Sequence, residues 1–337
     1  MRNPRSPGKR ESKRVAHTAT GMKDMRFAII GAGGVGAFFG GVLASGGEDV
    51  MFMARGSHLD AMKKEGLRVI SPGGVMLVPP ERCAGSPAEI GPVDVVFFCV
   101  KSYDTERTAP ALGPLLKAST VIISLQNGID NEEKLQRLLP DHVIFGGVAY
   151  IYSAISRPGE VTVAAGPSKI VFGPFDGSPP GHRQRAVQIR DSCMHAGISA
   201  EVSGDIAATL WKKLIFITGA GGITALTRLT LGEILAVDQS RGLLADAMKE
   251  TESIARARGV SIDEHYLDTV FETLARFDNK TRSSLYYDLV HGKPLEIDAL
   301  AGTVVRYGTS LGIPTPVNRA VYAALLPYHL HSTGNIL

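Results

Sequence analysis

The chain has 337 residues, with 44% hydrophobic and 20% charged residues, which is typical of an ordinary soluble globular protein of about two domains. Its net charge of +3 arises at the amino terminus, because residues 1–24 hold seven of the 36 Lys and Arg residues and two of the 33 Asp and Glu residues. The remainder carries 29 basic and 31 acidic residues, a net charge of −2. This balance argues against a nucleic-acid-binding surface on the folded part.

Residues 1–24 are rich in Arg, Lys, Ser and Pro, which predicts a disordered basic extension before a domain that begins near Met25. A basic segment followed by an apolar one imitates a secretory signal, but here many glycines interrupt the apolar segment. No apolar run reaches the roughly 20 residues that a membrane-spanning helix needs. We therefore expect no membrane partner. The three cysteines lack a metal-like spacing, which predicts a reduced, cytoplasmic protein without a metal site.

The first folded segment predicts a dinucleotide-binding turn. Residues 27–30 form a short apolar run that suits a strand buried on both faces, and a helix over 34–45 follows. Between them lies the G-x-G-x-x-G spacing, in which the first glycine allows a tight turn, the second allows close approach of a pyrophosphate and the third allows the helix to pack closely. The amino terminus of the helix would face the phosphates. The predicted cofactor-binding residues of this turn are Gly31, Ala32, Gly33, Gly34, Val35 and Gly36.

Arg55 predicts which dinucleotide binds. It lies about twenty residues beyond Gly36, at a position where an Asp or Glu would accept a hydrogen bond from the ribose 2′-hydroxyl. A guanidinium there suits a 2′-phosphate instead, through charge-assisted and often bidentate bonds. NADP(H) is therefore predicted over NAD(H), with an ordinary solvated arginine at the start of a loop as the alternative.

Alternating strands and helices over residues 25–150 predict an N-terminal Rossmann-type, doubly wound α/β sheet. The predicted elements that follow the turn are strand 50–53, helix 58–65, hairpin strands 67–70 and 75–78, strand 93–100, helix 109–116, strand 121–125, helix 131–139, strand 143–150, antiparallel strands 160–165 and 169–173, and helix 182–196. We assign residues 25–200 to this NADP-binding domain.

Two residues follow strands of the predicted sheet directly. Lys101 follows strand 93–100 directly, and Asn127 follows strand 121–125 after the single residue Gln126. Ligands of an open parallel sheet bind outside the carboxyl ends of the strands, so both residues lie where chemistry is expected. For Asn127, which precedes Gly128, a plain turn is a strong alternative.

From residue 201 onward, strand signals give way to long helical patterns, which predicts a C-terminal all-helical domain over 201–337. A Rossmann-type domain supplies a cofactor but no substrate, so this half is expected to provide the catalytic groups, with the active site in the cleft between the domains. The predicted helices are 205–218, 240–258, 263–278, 283–290, 294–311 and 316–329.

Two side chains of the helical half are candidates for the chemistry. Lys213 lies in an apolar helix, where burial of its amine would lower its pKa and make it a proton donor near neutrality. Periodicity does not choose between Lys213 and Lys212, and a lysine whose amine reaches water is an equal alternative. Glu296 lies in the first turn of the helix predicted at 294–311, where the helix end stabilises a carboxylate with or without a function.

A set of motifs in chain order resembles the ketopantoate reductase family (2-dehydropantoate 2-reductase). The similarity covers residues 25–329 and is far more specific than the glycine spacing alone. The motifs are the glycine-rich run at 31–47, Ala54-Arg55-Gly56, Val100-Lys101, Gln126-Asn127-Gly128, Trp211-Lys212-Lys213-Leu214, Thr224-Ala225-Leu226, Ser283-Ser284 and Glu296-Ile297-Asp298.

The resemblance implies NADPH-dependent reduction of an α-keto acid to a 2-hydroxy acid, with ketopantoate as the best substrate and pantothenate biosynthesis as the pathway. Lys213 matches the family's catalytic lysine, which polarises the keto oxygen and supplies a proton. Glu296 matches its acidic partner, and Ser284 matches a contact to the substrate carboxylate. Lys101 and Asn127 match cleft positions near the nicotinamide and the substrate.

The sequence also departs from the family pattern at Ile217 and Gly221, where several members carry asparagines that line the substrate pocket. These changes favour a more apolar keto acid or ketone, handled by a dehydrogenase of the same architecture. A non-catalytic NADP(H) sensor whose helical half binds a protein is the remaining alternative, although a sensor needs no proton donor beside the nicotinamide. The helical domain could also present an apolar face to a second copy, giving a homodimer.

Overall fold

The structure is a computed structural model that describes residues 25–336, so the extension predicted at 1–24 lies outside the described residues. The strands are β1 (Arg26–Ile30), β2 (Asp49–Met53), β3 (Leu67–Ser71), β4 (Gly74–Val78), β5 (Cys83–Ala84), β6 (Val93–Phe98), β7 (Leu116–Ser124), β8 (Val143–Tyr150), β9 (Ser153–Arg157), β10 (Glu160–Val163), β11 (Lys169–Gly173) and β12 (Ser199–Val202). The helices of the N-terminal part are α1 (Gly34–Ser45), α2 (Gly56–Glu65), α3 (Pro87–Ile90), α4 (Thr105–Thr108), α5 (Asn131–Leu138) and α6 (Pro180–His195).

Eight strands form the main sheet in the order β12-β11-β8-β7-β6-β1-β2-β5. Neighbouring strands are parallel except that β11 runs antiparallel to β8. With the helical part that follows, this sheet confirms the predicted fold class. The boundary predicted after residue 200 falls within β12, whose four residues pair with β11.

The central strand β1 shows why its sequence is apolar throughout. Phe27 and Ile29 pack into one core cluster, which includes residues of α1, whereas Ala28 and Ile30 pack into a second cluster on the other face of the sheet. All four side chains are 0% exposed. A strand that is covered on both faces has no position for a polar side chain, and this is why a continuous apolar run, without alternation, predicts it.

The hairpin predicted at 67–70 and 75–78 is confirmed as β3 and β4, but its surroundings were not predicted. The strands β9 and β10 join it in a separate four-stranded sheet of order β4-β3-β10-β9. Sequence patterns did not indicate β9, and β10 pairs in parallel with β3 across about ninety residues of intervening chain. Side chains of this second sheet contact α1, so it lies beside the glycine-rich turn.

The helix predicted at 109–116 is a 3-10 helix, Ala109–Leu115. It contains Pro110 and Pro114, and the missing amide of each proline removes a hydrogen bond that a regular α-helix would need.

The helix predicted at 294–311 begins later than expected. It starts at Asp298 with a π-helical turn, Asp298–Gly302, and continues as α13. Glu296 therefore precedes the helix, and the prediction that it lies in the first turn is wrong. Its side chain contacts the N-terminal part, as described below.

The helices of the C-terminal part pack around a second core. Those at 205–218, 240–258, 263–278, 283–290 and 316–329 were predicted within a few residues, although the third is shorter than expected. The helices are α7 (Ile206–Phe216), α8 (Gly222–Thr227), α9 (Leu231–Ala236), α10 (Asp238–Ala257), α11 (Tyr266–Leu274), α12 (Ser284–Val290), α13 (Thr303–Leu311) and α14 (Pro316–Ser332).

One helical stretch corrects a sequence expectation. The helix α7, a π-helical turn at Ile217–Gly221 and α8 together form the 22-residue stretch Ile206–Thr227, which is long and apolar enough to cross a membrane by length and composition alone. Of its most apolar window, 67% is buried inside the protein. Trp211 and Ile223 are part of the second core, so we interpret the stretch as a core helix.

The packing of Gly36 gives a prediction for stability. A Cβ on this residue would lie 2.3 Å from the carbonyl oxygen of Gly31 and 2.7 Å from the side chain of Ile29, so α1 would have to move away from β1. We expect Gly36→Ala to cost about 1–3 kcal/mol and to lower the melting temperature by several degrees.

The matched control is Gly33→Ala, because an added Cβ on Gly33 would meet nothing within 4 Å and its φ of −77° suits alanine. Its melting temperature should stay within about one degree of the wild type. Thermal unfolding followed by circular dichroism measures both, and equal losses in the two variants would contradict the packing role of Gly36.

Candidate active site

The candidate site lies where the carboxyl ends of β6 and β7 meet the helical part. Lys101 comes shortly after β6, and Asn127 comes shortly after β7. Lys213 comes from α7, and Glu296 comes from the segment before the π-helical turn Asp298–Gly302. The structure therefore brings together residues that are up to 195 positions apart in sequence.

Glu296 is the centre of this cluster. It is 7% exposed, and its carboxylate accepts hydrogen bonds from the amide of Ser102 and from Nζ of Lys101, both at 3.0 Å. Although burial favours the protonated acid, Lys101 and the Ser102 amide hold the pKa of Glu296 below its usual range. The side chain is therefore a carboxylate anion, fixed between the two parts of the molecule.

Lys101 makes a second ion pair, with Asp288 of α12 at 2.9 Å. Burial acts to lower the pKa of Lys101, but the two carboxylates outweigh it and raise the pKa above its usual range. The amine of Lys101 therefore keeps its proton and does not transfer it to a substrate at neutral pH. The sequence placed Lys101 in the cleft but did not predict these partners.

Lys213 is in the opposite electrostatic state. Its Nζ donates to the carbonyl oxygen of Ala149 at 2.9 Å, and within residues 25–336 no carboxylate oxygen lies within 4 Å of it. Burial lowers the pKa of Lys213 to about 8, while the charge of Glu296 acts in the opposite direction. An ammonium with this pKa is a proton donor suited to neutral pH.

The structure distinguishes Lys213 from Lys212. The amine of Lys212 lies over the ring of Tyr266, 5.6 Å from its centroid, and the hydroxyl of Tyr266 donates to the carbonyl oxygen of Lys212 at 2.7 Å. Glu296 acts on the pKa of Lys213, whereas Lys212 is held against α11. Of the two candidates, Lys213 is therefore the one that faces the cluster.

Ser284 and Asn127 lie beside the cluster without joining its hydrogen bonds. Ser284 is exposed as the first residue of α12, and Asp288 lies one turn later on the same helix. Asn127 is half-buried, and its carbonyl oxygen accepts from the side chain of Asn131 at 2.8 Å. Their predicted contacts with substrate stay predictions.

Both segments that carry the central residues run into π-helical turns. Ile217–Gly221 follows the helix of Lys213, and Asp298–Gly302 follows Glu296. The two turns contact each other, and such turns occur frequently at functional sites. An added Cβ on Gly221 would make only an ordinary contact with the Cβ of Ile217, at 3.9 Å, so this position has room for a methyl group.

The glycine-rich turn has the shape that a diphosphate requires. Gly31 has φ +97°, and an added Cβ there would lie 2.8 Å from the amide nitrogen of Val100, so no other residue fits. Gly33 faces open space, and α1 has no acidic residue in its first turn. Beside Gly34, the buried hydroxyl of Ser153 has no hydrogen-bond partner among the described residues.

Arg55 is 64% exposed and does not stand alone. Its Nη1 donates to Oδ1 of Asp104 at 3.2 Å, and Nη2 contacts the other carboxylate oxygen. Asp104 also accepts from Arg107 at 2.6 Å. Burial raises the pKa of Asp104, and Arg55 opposes this rise. The place where a 2′-phosphate was predicted to bind therefore contains the carboxylate of Asp104 between the guanidinium groups of Arg55 and Arg107.

Sequence reasoning missed Asp104, Asp288 and Ser153. Asp288 had a detectable signal, because it lies four residues after Ser284 and so shares its face of a helix. Asp104 is three residues after Lys101, but nothing local indicated its pairing with Arg55. Ser153 belongs to the second sheet, which was itself not predicted.

A glycine-rich turn of the dinucleotide-binding type, in a molecule that also holds a lysine of lowered pKa and an ionised carboxylate at the carboxyl ends of the same sheet, is typical of a two-part nicotinamide-dependent oxidoreductase. The family profile described as "Ketopantoate reductase PanE/ApbA" matches residues 27–177, and the profile described as "Ketopantoate reductase PanE/ApbA C terminal" matches residues 205–329. The chain belongs to the ketopantoate reductase family.

Among curated relatives, the chain is 33% identical over 306 residues to the uncharacterized oxidoreductase YkpB of Bacillus subtilis, covering 90% of this chain and 99% of the relative. It is 30% identical to a 2-dehydropantoate 2-reductase of Halobacterium salinarum, covering 88% and 96%.

Among solved structures, a PanE/ApbA family ketopantoate reductase from Ralstonia eutropha has a TM-score of 0.82 and 32% identity, covering 92% of this chain and 100% of that one. A D-mandelate dehydrogenase solved with NADH and anilino(oxo)acetate has the same TM-score at 21% identity, covering 92% and 99%, and shares the fold.

The state of Lys213 gives a prediction for catalysis. Lys213→Ala should lower kcat by about a hundredfold to ten-thousandfold, because the proton donor is lost, while the dinucleotide still binds. In the unaltered enzyme, kcat should fall as the pH rises through about 8, because the ammonium form is lost there. Steady-state kinetics across pH, with dinucleotide binding followed by fluorescence, measure both effects.

Lys212→Ala is the matched control and should keep kcat within about threefold of the wild type, because Lys212 is held against Tyr266. If Lys212→Ala abolished turnover while Lys213→Ala did not, the roles of the two lysines would have to be exchanged.

Proposed function

We propose that the protein reduces an α-keto acid to the 2-hydroxy acid with NADPH, and that ketopantoate, giving pantoate for pantothenate biosynthesis in the cytoplasm, is the best single substrate. The observation that carries this proposal is the amine of Lys213, which forms no ion pair within residues 25–336 and whose pKa is lowered by burial, beside the ionised Glu296. Together they provide a proton donor and a fixed anion at the edge of a sheet whose glycine-rich turn suits a dinucleotide. The family membership supports the same chemistry.

When bound, the reduced nicotinamide supplies a hydride to the keto carbon. The ammonium of Lys213 then donates a hydrogen bond to the keto oxygen and transfers its proton as negative charge develops there. Because the amine is desolvated, its charge stabilises the developing oxyanion more strongly than in water. The interaction is stronger in the transition state than in the ground state, which is the condition for raising kcat.

Glu296 has two roles in this proposal. Its negative charge opposes the loss of the Lys213 proton, so the amine keeps its proton near neutral pH in spite of burial. Its carboxylate also accepts a hydrogen bond from a substrate hydroxyl. Lys101 keeps Glu296 ionised. We propose that Ser284 contacts the substrate carboxylate. Asn127 is the proposed contact for the substrate or for the nicotinamide amide.

The cofactor preference rests on Arg55. Its guanidinium is mostly exposed, and with Arg107 nearby it gives the ribose end of the site a net positive charge that suits a 2′-phosphate. Asp104 favours the other candidate, NAD(H), because a carboxylate at that place can accept from a ribose 2′-hydroxyl. We propose NADP(H), since two guanidinium groups face one carboxylate.

A second candidate substrate has a more apolar side chain. Ile217 and Gly221 are neighbours on one π-helical turn, and neither residue offers a side-chain donor or acceptor. A keto acid with an aliphatic or aromatic side chain would bury apolar surface there. A D-mandelate dehydrogenase that shares the fold was solved with anilino(oxo)acetate, a carboxylate that carries an aromatic ring.

We also propose that the protein has no nucleic-acid or membrane partner and that two copies associate through the helical part. The net charge of −2 outside residues 1–24 supports the first point. A sensor without catalysis is the less favoured alternative, because a buried amine costs stability that a sensor has no reason to bear.

A substrate panel tests the proposed reaction. Purified protein should oxidise NADPH on addition of ketopantoate or a branched or aromatic keto acid, measured by loss of the absorbance of the reduced cofactor. The ratio of kcat/KM for ketopantoate and phenylglyoxylate decides between the two substrate candidates. No oxidation with any acid of the panel would refute the reductase assignment.

The charge of Arg55 gives the test of cofactor preference. Arg55→Glu should raise the Kd of NADPH by about a hundredfold and that of NADH by less than about threefold, because only NADPH carries the 2′-phosphate. Arg137→Glu is the matched control, since Arg137 is similarly exposed and, among the residues that the structure describes, pairs only with the exposed Glu106. Equal changes for both cofactors in Arg55→Glu would refute the 2′-phosphate contact.

A further inference from the structure

His58 of α2 connects two segments that flank the dinucleotide turn. Its Nε2 lies 2.9 Å from the carbonyl oxygen of Ala32, and its Nδ1 lies 3.0 Å from the amide nitrogen of Gly159, in the turn between β9 and β10. A backbone carbonyl only accepts and a backbone N–H only donates, so Nε2 carries the proton and Nδ1 is the acceptor. The two contacts therefore select one tautomer of the neutral imidazole.

The contact with Ala32 sets the direction of the next amide. The carbonyl of Ala32 and the N–H of Gly33 belong to one planar trans peptide, so they point in opposite directions. With the oxygen held by His58, the N–H of Gly33 points away from α2. The amides of Gly31 and Ala32 donate to the carbonyl oxygen of Met53 at 3.1 and 2.9 Å, so among the described residues Gly33 is the first amide of the turn without such a bond.

We propose that His58 is a positioning residue of the cofactor site: its neutral imidazole fixes the peptide between Ala32 and Gly33 so that the Gly33 N–H faces the diphosphate of a bound dinucleotide. A protonated His58 donates from both nitrogens and cannot accept from Gly159. The ring then loses its second anchor, the peptide is held less firmly, and the dinucleotide binds more weakly in acid. The inference rests on the proposed function only in requiring that a dinucleotide binds at this turn.

The surroundings of His58 favour the neutral ring. Burial lowers its pKa, while the carbonyl of Ala32 acts in the opposite direction. Within residues 25–336 His58 forms no ion pair, and the glycine-rich turn has no ionisable side chain. The charged residues on the elements packed against His58 are Arg55, Asp60, Lys63, Lys64 and Glu65 on or next to α2, Arg68 of β3, and Arg157 and Glu160 of the β9–β10 hairpin.

Several of these charged groups are engaged in ion pairs. Arg157 pairs with Glu160 at 3.0 Å, and Arg68 reaches the same carboxylate at 3.5 Å. Arg55 pairs with Asp104. The affinity for the dinucleotide should therefore depend on the protonation of His58 itself. Affinity should be present at neutral pH and should be lost as the pH falls below the ordinary pKa range of histidine.

Two variants of His58 distinguish a role in positioning the Ala32–Gly33 peptide from a role in folding alone. In His58→Gln, the side-chain NH₂ can donate to Ala32 and the side-chain oxygen can accept from Gly159, without any titration. In His58→Ala, both contacts are lost. At about pH 8, we expect the Kd of NADP⁺ to rise about five- to tenfold in His58→Ala and to stay within about twofold of the wild type in His58→Gln. Isothermal titration calorimetry measures both, and His265→Gln, at an exposed histidine of the helical part, is the control.

The pH dependence provides the second measurement. Between about pH 8 and pH 5.5, the 2′-phosphate of NADP⁺ titrates equally in wild type and His58→Gln, so the ratio of their Kd values isolates His58. We expect the wild type to lose more affinity in acid than His58→Gln. This comparison remains available if His58→Ala fails to fold.

Parallel pH curves for the wild type and His58→Gln, or an unchanged Kd in a folded His58→Ala, would overturn the role of His58. A wild type that binds neither NADP⁺ nor NAD⁺ would instead refute the proposed function. Because binding is measured without substrate, an error in the substrate assignment affects neither result.

Discussion

The buried carboxylate of Glu296 is the constraint on which the arrangement of the two parts depends. A charge that is removed from water must be compensated by donors within the protein. Glu296 belongs to the helical part, but Lys101 and the Ser102 amide belong to the sheet part. Separating the parts would leave the carboxylate or the lysine without its partner, which is strongly unfavourable when the group is buried.

This pairing also determines the state of Lys213. Glu296 and Asp288 are both engaged by Lys101, which leaves the amine of Lys213 with a backbone carbonyl as its hydrogen-bond partner. One lysine of the cluster is therefore locked in its charged form and the other is able to release its proton. A pair of like groups with separated pKa values is the usual arrangement where acid–base chemistry takes place.

On the cofactor side, the constraint is close packing of backbone. Gly31 and Gly36 lie so near neighbouring main-chain atoms that a side chain on either residue would displace those atoms. Gly33, by contrast, faces open space. The second sheet supports this turn from outside: Ser153 lies beside Gly34, and the amide of Gly159 holds the ring of His58. The β9–β10 hairpin, whose first strand the sequence patterns did not indicate, thus contributes to the shape of the dinucleotide turn.

The sequence by itself determined the glycine-rich turn and the α/β class with its helical C-terminal part, because glycine spacing, apolar runs and helical periodicity are local properties of the chain. The resemblance of its motifs to a known family gave Lys213 and Glu296 as candidate catalytic residues, although periodicity alone did not choose between Lys213 and Lys212. The tertiary structure alone decided that Lys213 and not Lys212 faces Glu296, that Lys101 pairs with Asp288, that Arg55 shares its site with Asp104, and that Glu296 precedes its helix. Each of these depends on contacts between residues tens to hundreds of positions apart, and local patterns carry no information about which distant side chain will neutralise a given charge.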